Sequence, residues 1–404
     1  MWQQLKRQLR REWECRLIRR FHAHLAAARF DAAFEIAEAL LDFGPSAEGY
    51  EFLTCPIDPS QTGLRDGELR ELLERLEAVG TSRYPAWREH LRASLLQRLP
   101  PTGRVDFGAA MVDVPERYGW MRFLHGHFVR DHKLAYREAM ADFDATFRAA
   151  PRFWKAAACK AECVLCLGEE QEAFRTFDEC IASVRRLGLS GDLAAAIAWR
   201  GELRLWVGHY QAALRDFEEA GTGGWLATVG PKGSTLLALG WRGAAHLMLG
   251  QTEQALIDLD RVLQRTPDDA EALAWRGEAH ARLARWDAAL ADFDRAARKT
   301  AQPVWPLVGR ALVKARMGDA DGLFSDYDLL PPRVTTFFER TMNIDVARDA
   351  ERAIAVLESM RAAARGIRRS DLYMYPLWMT GPSSASHSAS SRPNASDSER
   401  HDGS

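Results

Sequence analysis

The residues best placed to do chemistry are three cysteines and three histidines. Cys159, Cys163 and Cys166 have a C-x3-C-x2-C spacing, one that can hold an iron–sulfur cluster when it sits in a loop. The same spacing is i, i+4, i+7, which puts all three thiols on one face of a helix. The surrounding sequence, ACKAECVLCLGEEQEAF, is helical in pattern, so the stripe reads as packing by a small hydrophobe rather than a cluster site. His125, His127 and His132 lie near Asp131. No pair of them is four apart, so one helix does not converge them on zinc. The chain contains no glycine-rich phosphate loop, serine nucleophile elbow or H-E-x-x-H. We therefore expect no catalytic residues, no metal, no cofactor and no enzyme activity.

Such residues must be held by a framework, and the composition says which kind. The 404 residues are 47% hydrophobic and 27% charged, enough to bury a core. Ala, Leu, Arg and Glu abound and favour helix. The expectation is an all-α protein. The net charge of −2 gives no electrostatic footprint for nucleic acid. Residues 1–20 are the exception, with seven basic side chains against Glu12 and Glu14; a basic helix of this kind can touch a membrane surface or an acidic partner. No apolar run reaches the roughly 20 residues of a membrane span, and charges interrupt the N-terminus where a signal peptide would be apolar. Six cysteines in a chain of this length are not a disulfide framework. The expected location is cytoplasmic.

Laying the chain on itself reveals repeats. Segments 198–220 (AWRGELRLWVGHYQAALRDFEEA), 240–262 (GWRGAAHLMLGQTEQALIDLDRV) and 274–296 (AWRGEAHARLARWDAALADFDRA) align without gaps. The last two are 34 residues apart, and a further 34 leads to a copy at 308–330. The first two are separated by 42 residues, the excess falling in the Gly-rich stretch near 221–233, where a longer loop is tolerated. Upstream, 158–180 is another copy, and Ala139, Phe143 and Pro151 mark one more. About six units cover 118–330.

This pattern resembles the tetratricopeptide repeat family. With Gly243 as repeat position 8, small Gly201, Gly243 and Gly277 share that position, Ala213, Ala255 and Ala289 fall at position 20, and Phe217 and Phe293 at position 24. Small residues let the two helices of a unit approach, the aromatic fills the space against the next unit, and Pro267 stops the second helix. One helix pair cannot bury its own apolar face, so the pairs must stack. The resemblance implies a right-handed superhelical array of antiparallel helix pairs, a solenoid, with a concave groove. The chain departs from the family at position 7, where Leu is usual. Here Arg200, Arg242, Arg276 and Arg310 stand there, with Lys160 in an earlier copy, and Asp216, Asp258, Asp292 and Asp326 recur sixteen residues on. The co-occurrence predicts an Arg–Asp pair between the two helices of each unit.

Around the array, residues 1–117 read as an irregular helical region with a degenerate repeat at 28–45, helices at 64–78 and 84–98, and loops at 50–62 and 99–116. Residues 331–380 read as capping helices followed by an aromatic segment (371–379). The Ser-rich tail at 381–404 has too few apolar residues to order itself.

The resemblance implies that the chain binds another protein, as a non-catalytic scaffold or adaptor. It places Glu202, Trp206, Met248, Glu278, Arg282, Trp305 and Arg316 in the groove. Positions 5 and 9 lack the Lys and Asn that clamp a chaperone's C-terminal carboxylate in some relatives, so an amphipathic helix or extended peptide fits better. The alternative is an accessory subunit of a membrane-associated or biosynthetic enzyme complex, touching membrane or partner through residues 1–20. A divergent metal-dependent enzyme is the third reading.

Overall fold

A computed structural model of the chain describes residues 2–54, 56–57, 64–79, 81–99, 116–130, 135–222, 234–300 and 303–366. Among them are nineteen α-helices, one 3-10 helix and no strand. The N-terminal helices are α1 (Trp2–Ala26), α2 (Phe30–Asp42), α3 (Ala47–Thr54), α4 (Asp66–Ala78) and α5 (Pro85–Arg98). A 3-10 helix, Glu116–Met121, leads into antiparallel pairs: α6 (Arg122–Phe128) with α7 (Tyr136–Ala149), and α8 (Lys155–Cys166) with α9 (Glu170–Arg186). Then come α10 (Ser190–Trp206) and α11 (Tyr210–Thr222), α12 (Ser234–Met248) and α13 (Thr252–Arg265), α14 (Ala270–Arg282) and α15 (Trp286–Lys299), and α16 (Val304–Arg316) and α17 (Ala320–Tyr327). Helices α18 (Pro332–Met342) and α19 (Ala350–Gly366) follow. The chain divides into two compact units, one within 1–200 plus 219–225, the other within 201–218 plus 226–404. The loop expected from residue 50 instead starts after Thr54, because Tyr50, Phe52 and Leu53 are buried in the N-terminal core. His132, Asp131, the aromatic segment and the Ser-rich tail lie outside the described residues.

The turn inside each pair has one design. After the first helix, position 15 is left-handed: Gly168, Gly208, Gly250 and Gly318 have φ between 78° and 83°. The next amide reaches back to close the helix, as Gln251 N does to His246 O at 2.9 Å. Ala284 (φ 53°) fills this place with a side chain, as Ala28 (φ 51°) does in the turn between α1 and α2, and a Cβ there clashes with the following carbonyl.

Packing between the helices follows the small residues. A Cβ on Gly201 would stand 2.9 Å from the Phe217 ring, and one on Gly277 3.1 Å from Phe293. Gly309, at the start of the next pair, meets the other side of Phe293. That ring is fully buried, as are Ala213, Ala255, Ala289 and Phe217. In the earliest pair Gly126 meets Phe143 in the same way, although the spacing is one residue longer. Helix α6 ends in a π turn at 129–130, which takes up one extra residue.

The N-terminal core is aromatic. Trp87, Trp120 and His90 pack ring to ring, and the Trp87 indole donates to Glu38 Oε1 at 2.5 Å. His90 is fully buried with Nε2 2.8 Å from Leu53 O, and burial pulls its pKa down to about 4.

Two outcomes follow from these observations. Ala284→Gly should raise stability by about 1 kcal/mol by relieving the left-handed Cβ, read as a shifted urea midpoint at unchanged m. His90 folds as the neutral ring, so its contribution is complete above the unfolded pKa of 6.5 and is lost as the pH falls towards 4. That loss amounts to about 3 kcal/mol between pH 7 and pH 4. His90→Gln, which keeps a donor for Leu53 but does not titrate, should remove that part of the acid sensitivity in denaturation curves.

Candidate functional site

The side chains assigned to the groove sit on the first helices of the pairs, and what holds those helices is an ionic ladder. In three copies the guanidinium at position 7 grips the Asp at position 23 of its own pair. Arg242 Nε and Nη2 donate to Asp258 at 2.7 and 2.6 Å, and Arg276 donates twice to Asp292 at 2.7 Å. Arg310 donates to Asp326 at 3.0 and 2.5 Å. All three aspartates are buried. These are forked, charge-assisted bonds, and they raise the pKa of Arg242, Arg276 and Arg310.

In the copy at 198–220 a second guanidinium reaches the acid at position 23. Arg204 Nη1 donates to Asp216 at 2.7 Å to each oxygen. Arg200 Nη1 donates to Asp178 at 2.6 Å. Arg204 lies one turn after Arg200, at position 11, and its arm is long enough to take the carboxylate. The other copies carry a second nitrogen-bearing side chain at the same place: Lys314 is 3.0 Å from Asp326, and His246 and His280 are 3.9 Å from Asp258 and Asp292 respectively.

A second carboxylate, at position 25, also escaped the sequence reading. Asp260 accepts from Arg276 of the next copy at 2.8 Å, and Asp294 accepts from Arg310. Earlier, Asp178 serves Arg200, and Asp144 accepts from Lys160 at 2.7 Å. Lys160, Arg200, Arg276 and Arg310 thus each tie their own copy to the one before. The signal is visible in hindsight as Asp-x-Asp at 142–144, 258–260 and 292–294.

The positions assigned to the groove divide by burial. Glu202, Trp206 and Glu278 are buried, Met248 and Trp305 are half-buried, and Arg282 and Arg316 are exposed. Glu278 accepts from Arg282 at 3.3 Å and lies 3.8 Å from Arg361 of α19. Arg282 also donates to the Leu247 carbonyl, so its head group is fixed. Trp305 meets Trp275 edge to face with centroids 4.7 Å apart. The buried members face other parts of the chain, leaving Met248, Arg282, Trp305 and Arg316 as the accessible set.

In the first unit, equivalent positions are also turned inward. Arg130 Nη1 donates to Glu162 at 2.9 Å, with both side chains buried, and Trp199 Nε1 donates to the other Glu162 oxygen at 2.6 Å. His127 stands between Arg130 (2.9 Å) and Cys159 Sγ (3.7 Å). Cys159 and Cys163 are buried. Burial pushes the Cys163 thiol up, and that of Cys180 up to about 12. Cys163 and Cys180 are thus packed as neutral thiols in the apolar interior. Among the described residues no group of three or more His, Cys, Asp or Glu is arranged to hold a metal ion, and no helix is long and apolar enough to cross a membrane.

No family model and no curated protein matches the sequence. Solved structures do. The apo form of RapI matches with a TM-score of 0.51 at 9% identity, covering 89% of this chain and 99% of that one. A Rap protein complexed with competence and sporulation factor gives 0.48 at 13% identity, covering 81% and 99%. A tetratricopeptide repeat protein from Parabacteroides merdae gives 0.41 at 14% identity, covering 76% and 98%. The fold is a tetratricopeptide-like helical repeat.

The ladder makes a prediction that differs by copy. Asp292→Ala should destabilise the chain by about 3 kcal/mol, because it strands a guanidinium built for a buried partner. Arg204→Ala should also destabilise the chain, because it removes a bond to each oxygen of the buried Asp216. An unchanged midpoint in chemical denaturation would contradict the assignment.

Proposed function

We propose that this tetratricopeptide-like chain is a non-catalytic interaction scaffold that holds a helix or peptide of another protein against the first-helix face of its repeats. The observation that carries this reading is the accessible set on α12, α14 and α16. A fixed guanidinium, Arg282, stands beside Met248, with Trp305 and Arg316 on the next first helix. Arg and Trp are the side chains that most often dominate interface energy, and Met adapts to varied apolar surfaces. Arg282 is ordered before any partner arrives, so little entropy is lost on binding. The ladder supports the same reading, because it fixes the first helices through bonds that leave this face open to a ligand. The neutral, buried thiols and the absence of a nucleophile or phosphate loop argue against chemistry at the same place.

The test compares full-length baits by affinity capture and mass spectrometry. A Met248→Glu, Arg282→Ala bait should lose its principal partner, with affinity down by about tenfold or more. An Ile257→Ser bait, altered at an exposed residue of α13, should keep it. Equal capture by both would move the binding surface elsewhere and overturn the proposal.

A further inference from the structure

The last helix, α19, lies where a partner would. We propose that α19 is a resident, exchangeable ligand of the first-helix face of the last two copies, and that this face takes an amphipathic helix of the same chemistry from a partner. The inference rests on the reading of that face as the docking surface.

Three observations carry it. The first is placement. A helix that only capped the stack would continue it by packing on the last second helix, α17. Helix α19 packs chiefly on the first helix, α16. Its Ala353, Val356, Leu357 and Met360 are buried in one core with Val308 and Leu312, and Ala315 packs against that core. Val308, Leu312 and Ala315 stand at repeat positions 5, 9 and 12, those the resemblance turns toward a ligand. The stripe on α19 has the i, i+3, i+4, i+7 spacing of a helix laid into a groove.

The second is charge matching. Glu358 Oε1 lies 3.7 Å from Arg316 Nη2, and Arg361 Nη1 lies 3.8 Å from Glu278 Oε2. Arg361 and Glu358 also bond each other. The chain Arg316–Glu358–Arg361–Glu278 therefore crosses from α16 to α14, one copy back. Glu278 is 2% exposed; Arg282 reaches its Oε1 at 3.3 Å and Arg361 of α19 approaches its Oε2. A ligand that takes the place of α19 matches this charge with a cation just past its apolar stripe.

The third is the tether. The connector at 343–349 holds Asn343 (φ 54°), Ala347 (φ 41°) and Arg348 (φ 63°), three of the five left-handed non-glycine residues among those described. That conformation is costly for a residue with a Cβ, and it can relax when α19 undocks. The site thus favours exchange over permanent closure.

The experiment uses the full-length chain and a fluorescent synthetic peptide of residues 349–366. In the wild type, α19 occupies the face and the peptide should bind weakly. Val356→Asp with Met360→Asp should undock α19 in cis and tighten peptide binding by about tenfold or more. Adding Glu278→Arg to that variant should weaken the peptide again, and a peptide carrying Arg361→Glu should recover the loss. Binding that ignores these charge changes overturns the proposal. So does hydrogen exchange showing α19 released while no peptide binds, or a double variant that loses its helical signal as a whole, which would make α19 an integral part of the core. Arg361→Glu alone keeps the apolar stripe and should speed exchange in 350–366 by about tenfold; unchanged exchange also overturns it. No outside partner enters these measurements, so their failure is separable from that of the scaffold reading, which the capture baits decide.

Discussion

A buried carboxylate at repeat position 23 is the constraint on which the array depends. An Asp between two helices must be ionised and neutralised, or its desolvation outweighs the packing around it. The chain meets this with a cation at position 7 and, one turn later, a second nitrogen-bearing side chain such as Arg204 or Lys314. The geometry is demanding: a guanidinium fork reaches both carboxylate oxygens only when the two helices of a pair are at one separation and one axial offset. Glycine at position 8 and alanine at position 20 permit that separation, and the ring at position 24 fills what remains. Packing and electrostatics therefore specify the same distance between helices, and agreement between such levels singles out one structure.

The same cation also works between pairs. By donating to the position-25 carboxylate of the preceding copy, as Arg276 does to Asp260, it ties its first helix to the second helix of that copy. Leu, usual at this place in the family, would supply area without direction. The exchange of Leu for Arg makes each copy read its neighbour's sequence. Where a copy lacks the acid at 23, as at Thr176, the cation Lys160 turns to Asp144 of the copy before it. Arg200 likewise reaches Asp178 of the copy before it.

A scaffold needs a face that is rigid and accessible. On α12, α14 and α16 the rigidity comes from the ladder, and the accessible part is the run of Met248, Arg282, Trp305 and Arg316. Helix α19 bears on that face directly, because its Arg361 answers Glu278. Affinity there is the difference between a partner's contacts and those α19 gives up.

The repeat, its helix pairs and its close-packed small residues were all legible in the sequence, because each is local. The period is set by the length of two helices and two turns, and Gly201, Ala255 and Phe293 announce the approach of neighbours within one pair. The Arg–Asp pairing was legible for the same reason in the copies at 242, 276 and 310. The cysteine stripe could likewise be read as packing from helical spacing alone. What the tertiary structure decided was competition: which of two cations takes a given carboxylate, which neighbour a cation at position 7 also serves, and which groove positions are covered. Those outcomes depend on the reach of side chains such as Arg204 and on the docking of α19, brought back across α14 and α16 from far along the chain. Sequence spacing encodes contacts inside a pair. It does not encode which of several chemically equivalent partners lies nearer once the pairs have stacked.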